Sequence, residues 1–172
     1  NYRLEANTPN PAYAAGGQML PPYDSLATLQ DIAALVAQFR PARIISLGDN
    51  FHDDAGEARL NGGAARLLEE LIWQTEWLWI TGNHDRGIGA KWGGRSVAEI
   101  MLSGVILRHE AEAGEPVSEI SGHFHPKFRQ NLRGRMVARR CFVKSPRKLI
   151  MPAFGALTGG LDVQDITIVK AC

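Results

Sequence analysis

The sequence predicts an α/β fold, with a two-layer core of mixed sheet and helices flanking it. Three observations carry this expectation. Twice in the first half, an apolar pattern at helical spacing is followed by a short buried-type run, the rhythm of a parallel sheet. After Glu115 the texture changes to short strand-like runs with little helical pattern between them. The chain has 172 residues, 45% hydrophobic and 22% charged, which suits one globular unit that buries a core without staples.

The elements follow in order. Asn1 to Tyr23 is rich in Asn, Pro, Gly and Ala without periodicity and reads as irregular. Asp24 or Ser25 is placed as an N-cap, and Leu26, Leu29, Ile32, Ala33, Val36 and Phe39 then recur at helical spacing until Pro41 stops them. Arg43 to Leu47 is a short apolar strand ended by Gly48-Asp49. Gly62 to Thr75 reads as a second helix with Leu67, Leu68, Leu71 and Ile72 inward, and Trp77 to Ile80 as a strand ended by Thr81-Gly82. Val97 to Leu102 is expected to be a short helix, and Val105 to Leu107 a strand running into His109. Further strands are expected at Val117 to Ser121, Arg135 to Val143, Leu149 to Met151 and Ile166 to Val169, with a turn at Asn131 to Gly134.

Several function classes recede on composition. The net charge of +1 points to no partner. Cys141 and Cys172 are the only cysteines, too few and too far apart for a disulfide framework, as in a reducing compartment. No apolar run approaches the roughly 18 residues of a membrane span, and no basic-then-apolar leader opens the chain. The expectation is a cytoplasmic protein that does not engage a membrane.

Polar residues gather where the strands end. Three motifs stand there: Gly48-Asp49-Asn50-Phe51-His52-Asp53, Gly82-Asn83-His84-Asp85 and Gly122-His123-Phe124-His125. Ligand sites of open α/β sheets lie beyond the carboxyl ends of strands. All five histidines, His52, His84, His109, His123 and His125, fall in or beside such a position. Imidazole and carboxylate donors without a thiolate set suit Mn, Zn or Fe. Asp49 has two oxygens with which to bridge ions, Asn83 an amide oxygen, and His109, His123 and His125 ring nitrogens. Two ions about 3.5–4 Å apart would clamp a phosphate and acidify a bridging water. His84, steadied by Asp85, would stand beside them as proton donor to the leaving oxygen.

The order Gly-Asp, Gly-Asn-His-Asp, a lone His, then Gly-His-x-His resembles the signature of the calcineurin-like metallophosphoesterases. Leu20-Pro21-Pro22-Tyr23-Asp24, Leu47 to Asp53, Trp79 to Asp85, Leu107-Arg108-His109-Glu110, Arg139-Arg140-Cys141-Phe142 and Pro152 to Gly160 are similar to one branch, the bacterial ligase-associated DNA-damage-response phosphodiesterases or endonucleases. The resemblance runs from about Leu20 to the C-terminus. It implies a sandwich of mixed sheets with flanking helices and two divalent ions, manganese first, with zinc or iron as alternatives. By it Asp49 bridges the ions, Asn83, His109 and His123 complete the second, His125 serves the first, and His84 is the catalytic histidine. It further implies phosphodiester hydrolysis on nucleic acid or nucleotides in DNA repair, with a ligase and a helicase as possible partners.

The family opens with Asp-x-His at the end of its first strand, and this sequence has no such pair. A gapped comparison puts Asn1 and Arg3 there, an ungapped one Leu4 and Ala6. Residues 1–172 are therefore expected to form a single domain whose first strand is missing. The sequence is either a truncated copy of a complete enzyme or a protein with a degenerate first site, acting as a nucleic-acid or repair-partner binding module. Weak hydrolysis or none is expected of this chain with added Mn or Zn, because Asp49 and His125 alone would hold the first ion.

Other residues carry less specific signals. From Lys127 to Lys148 there are nine basic residues and no acidic one, either a contact for nucleic-acid phosphates or a solvated surface balancing Glu110, Glu112, Glu115 and Glu119. Alternation puts Arg135 and Arg139 on one face of their strand and Arg140 and Lys144 on the other. Arg86, directly after Asn-His-Asp, is a candidate substrate-phosphate contact; Gly93-Gly94-Arg95 is a weaker one. Trp73, Trp77, Trp79 and Trp92 are placed in packing or an interface rather than in base stacking. His52 has no clear ligand slot, and Asp53 is a candidate to orient a ligand.

Overall fold

The structure, a computed structural model, describes residues 24–51, 60, 62–83, 91–155 and 158–172. The irregular segment expected over residues 1–23, His52-Asp53 and His84-Asp85-Arg86 lie outside them. The described chain is mixed α/β, with several sheets and few helices.

Helix α1 (Asp24–Phe39) buries Leu29 and Ile32, with Leu26, Ala33 and Val36 packed along the same stripe. Arg40 ends it in the left-handed region, its amide donating to the Val36 carbonyl, and Pro41 cannot extend the ladder. Strand β1 (Arg43–Leu47) follows, then α2 (Gly62–Gln74), which buries Ala64, Leu68 and Leu71 at intervals of four and three. Strand β2 (Glu76–Ile80) is buried at every position after the first, as a central strand of a parallel sheet should be. It pairs in parallel with β1, Ile45 opposite Leu78, and with β3 (Arg95–Val97), giving the order β1-β2-β3. Trp77, Trp79 and Trp92 fill the core between this sheet and the two helices, whereas Trp73 is 89% exposed.

The second sheet takes β4 (Glu99–Leu102), β5 (Val105–Arg108), β6 (Ser118–Ser121), β9 (Val143–Lys144) and β10 (Lys148–Ile150) in the order β4-β5-β6-β10-β9. The pairs β5–β6 and β6–β10 are parallel and the outer two antiparallel. Its core packs Ala111, Phe124 and Ile150 against Ile168 and Ala171 of α3 (Ile166–Ala171). Between β6 and β9 lies a separate two-stranded hairpin, β7 (Lys127–Leu132) with β8 (Arg135–Arg140).

Two expected elements change type. Val97 to Leu102 is not a helix but the end of β3 and all of β4. Ile100 and Leu102 turn inward while Glu99 and Met101 face out, a period of two that Val97, Ile100 and Met101 had disguised as helical spacing. Ile166 to Val169 is not a strand but most of α3. Its β-branched run has strand propensity, yet Asp165 caps a helix by accepting from the Thr167 amide at 2.9 Å and its hydroxyl at 2.6 Å. Ile168 and Ala171 are then buried while Ile166 and Val169 stay exposed. Those Thr167 hydrogen bonds, the hydroxyl's first, hold the Asp165 carboxyl below the usual carboxylate range.

The expected strand Arg135 to Val143 stops at Arg140, and Val143 opens β9 in the other sheet. Arg135 and Arg139 do share a face, but Lys144 no longer belongs to the strand that carries Arg140. The turn is tighter than Asn131 to Gly134. Leu132 still belongs to β7, and Arg133 and Gly134 take φ of 52° and 79°, as in a two-residue hairpin turn. Strand β7 is not legible in the sequence, because Lys127, Arg129, Gln130 and Asn131 have little strand propensity and leave only Phe128 and Leu132 as apolar positions.

Candidate metal centre

Asp49, Asn83, His109 and His123 follow the carboxyl ends of β1, β2, β5 and β6, and β1–β2 and β5–β6 are each parallel pairs. Both sheets therefore deliver chain ends to one place. Asp49 turns out of β1 at φ 49° directly after Gly48 at φ 79°. A Cβ at Gly48 would overlap His109 Nδ1, 2.7 Å from His109 Cγ and 2.9 Å from Gly82 Cα. Only glycine lets the β1 loop, the β2 loop and the imidazole come this close. His123 and His125 also have positive φ, 62° and 48°. Three of the six described non-glycine residues with positive φ thus lie in the two loops that bear these sequence motifs, and such conformations recur at functional sites.

His109 is 6% exposed and its ring is oriented from behind. Nδ1 lies 2.8 Å from the Leu47 carbonyl, which can only accept, so Nδ1 carries the proton and Nε2 presents its lone pair forward. This backbone brace for a ligating imidazole is a common one. In front of Nε2 stand Asp49 Oδ1 at 3.5 Å and His123 Nδ1 at 3.0 Å. The donor atoms of Asp49, His109 and His123 all lie within 4.8 Å of one another. Ligand atoms about 2.0–2.2 Å from one ion sit roughly 2.9 Å apart at a right angle and about 3.4 Å at the tetrahedral angle. The 3.0 Å and 3.5 Å separations lie at or close to that range and the third is within 4.8 Å, so the three residues form a cluster that could hold a divalent metal.

The rest of the setting grades from dry to wet. Asp49 is buried at 3% exposure, His123 is half-buried and Asn83 exposed, so the cluster has a closed floor and an open mouth. Asn83 Nδ2 is 3.5 Å from His123 Nδ1, and turning the amide over brings Oδ1 to that place. The Gly122 amide donates to the His109 carbonyl at 2.9 Å and ties the two histidine loops together. His125 is buried but does not join the three-residue cluster. Its carbonyl faces Gly160, where a Cβ would overlap it.

Some neighbours had no sequence signal. The Leu47 carbonyl is invisible to any side-chain pattern. Glu110, whose Oε1 lies 3.8 Å from His123 Nε2, stands in the Leu107-Arg108-His109-Glu110 motif, but nothing in that motif points to His123. Arg108, the last residue of β5, is buried among Glu99 at 3.2 Å, Glu115 at 3.2 Å, Glu119 at 3.6 Å and Glu112. Burial pulls its pKa down, but Glu99, Glu119 and Glu112 outweigh that and raise it overall. This network pins the strand end from which His109 projects. Gly93 and Gly94 pack against the tryptophans of the first core. Trp79 Nε1 donates to the Gly93 carbonyl at 2.7 Å, and Gly94 lies against the Trp77 carbonyl.

The chain is similar to the crystal structure of the nuclease MPE from Pseudomonas putida. The two share 27% identity with a TM-score of 0.71, over 96% of this chain and 78% of that one. A nuclease-like, hydrolase-type fold is therefore the structural context of the cluster. No family model and no curated relative matches the sequence. Among the described residues no helix is long and apolar enough to cross a membrane.

Proposed function

We propose that this chain is a calcineurin-like metallophosphoesterase domain that hydrolyses phosphodiesters of nucleic acid, with a role in DNA repair. The observation that carries the reading is the convergence of Asp49 Oδ1, His109 Nε2 and His123 Nδ1 at the carboxyl ends of parallel strands. The likeness to a nuclease supports nucleic acid as substrate.

In this reading Asp49, Asn83, His109 and His123 hold one divalent ion, and His125 with Asp49 serves a second. When bound, such ions polarise a phosphoryl oxygen and make water a better nucleophile near neutral pH. The protein's part is positioning. The Leu47 carbonyl keeps the His109 lone pair forward, and the buried Asp49 carboxylate lowers the cost of bringing positive charge to the floor of the site. His84, next to Asn83 in the sequence, passes a proton to the leaving oxygen while Asp85 orients it. Arg86 meets the substrate phosphate. Slow turnover is expected, since Asp49 and His125 are few ligands for the ion they would share.

The test is cleavage of a labelled oligonucleotide by the full chain with added Mn, beside Asp49→Asn and His109→Ala. Metal-dependent cleavage that both substitutions abolish supports the reading. A chain that binds Mn at these residues but cleaves nothing with Mn, Zn or Fe is a degenerate binding module instead.

A further inference from the structure

The β7–β8 hairpin belongs to neither larger sheet, and its two faces differ. On one face Lys127 donates to the Thr158 carbonyl, Arg129 to that of Gly160, and Arg140 to those of Ala153, Phe154 and Gly155. At its root that face is seated on residues 153–155 and 158–160. The register places the other set together: Phe128 opposite Arg139, Gln130 opposite Val137, and Leu132 opposite Arg135. Phe128 is 48% and Leu132 50% exposed, and Arg135 and Arg139 are exposed beside them. Among the described residues Arg133, Arg135 and Arg139 form no ion pair; the hairpin's one carboxylate partner is Asp162, 3.9 Å from Arg129 on the seated face.

From this we infer that the outward face of the hairpin is a docking arm for a nucleic-acid strand. The choice of occupant rests on the nucleic-acid reading of the adjacent cluster, and charge and placement argue for it independently. Of the nine basic residues between Lys127 and Lys148, Arg135 and Arg139 lie on this face and Arg133 at its turn, with no acidic residue in the stretch, and together they complement a polyanion. An exposed phenyl ring directly across from an arginine offers a face for a base beside a contact for its phosphate. Arg135 and Arg139, four strand positions apart, are separated by roughly 13 Å, far enough to meet different phosphates of one strand. The arm starts at Lys127, four residues after His123, so its root adjoins the cluster. A strand lying along it leads from the site toward the Arg133-Gly134 turn.

The experiment measures fluorescence anisotropy of labelled single-stranded and duplex oligonucleotides in EDTA, where neither metal binding nor cleavage contributes. The parent is compared with Arg135→Glu/Arg139→Glu, Phe128→Ala and, as a charge control on α3, Lys170→Glu, each checked for an unaltered thermal melt. The double variant should bind single strands at least tenfold more weakly. Its log–log salt slope should be shallower by about 1.4, two contacts at roughly 0.7 each. Phe128→Ala should lose about fivefold or more with its slope unchanged, since a stacking contact releases no counterion. Lys170→Glu should bind as the parent does. A parent that binds neither oligonucleotide overturns the proposal, as do arm variants within twofold of the parent at the same slope. Binding lost in the arm variants of a chain that never cleaves keeps the arm and removes the hydrolytic reading. Cleavage by a chain whose affinity ignores every arm substitution does the reverse.

Discussion

Replacing Gly48 by alanine tests the geometry of the metal cluster without touching a ligand. The residue has φ 79°, where an L side chain costs about 1–2 kcal/mol. Its new methyl would overlap His109 Nδ1 and stand 2.9 Å from Gly82 Cα, a backbone atom that cannot rotate aside. Overpacking of this kind adds about 1–3 kcal/mol. Gly104 is the control, because it has nearly the same φ, 80°, and nothing within 4 Å of its added Cβ. Gly104→Ala should therefore show the backbone penalty alone, and Gly48→Ala should melt a further 2–12 °C lower, roughly 2–4 °C per kcal/mol. Relief of the clash has to move the His109 ring off the Leu47 carbonyl, as loss of an outer-shell brace does, so affinity for Mn should fall about 10- to 100-fold. Differential scanning calorimetry and calorimetric Mn titration read the two effects. Gly48→Ala binding Mn as tightly as Gly104→Ala would show that the His109 brace does not set the cluster.

Three further outcomes are expected. His84→Ala should cut phosphodiester turnover by about 100-fold or more with bound metal, measured by atomic absorption, unchanged; loss of both would make His84 a ligand. Arg108→Met should lower stability in urea by about 1–3 kcal/mol, since it leaves the fully buried Glu119 carboxylate with only the Glu112 amide and the Lys148 ammonium at 3.9 Å. Glu99→Gln, at the solvent end of the same network, should cost under about 1 kcal/mol, and equal costs would contradict the assignment. Asp165→Ala should melt below the parent at pH 6. The folded pKa of Asp165 is depressed, so its cap contributes above the unfolded value of about 3.9 and is lost as pH falls through the folded one. The gap between the two melts should thus close on acidification, and a gap that widens would mean the carboxylate is not the capping species.

How much was legible depended on the range of the forces involved. Helix α1 could be read from its own stripe and from Pro41, and β2 from the run Trp77 to Ile80, because burial periodicity and backbone chemistry act within a few residues. Asp49, His109 and His123 stood out because polar, metal-competent residues followed glycines or strand ends, where side chains leave the sheet. Where local and distant forces disagreed, local reading failed. Ile166 to Val169 looks like a strand until Asp165 caps it and Ile168 finds the second core. Val97 to Leu102 looks helical until β3 pairs with β2 and β4 with β5. By itself the sequence determined the types of donor atom and the strand ends that carry them. Only the tertiary structure decided that two sheets would bring Asp49, His109 and His123 within 4.8 Å, that a backbone carbonyl would aim His109, and that one hairpin face would stay open. These are contacts between residues up to 74 positions apart, Asp49 and His123, held by packing and register that no local pattern encodes.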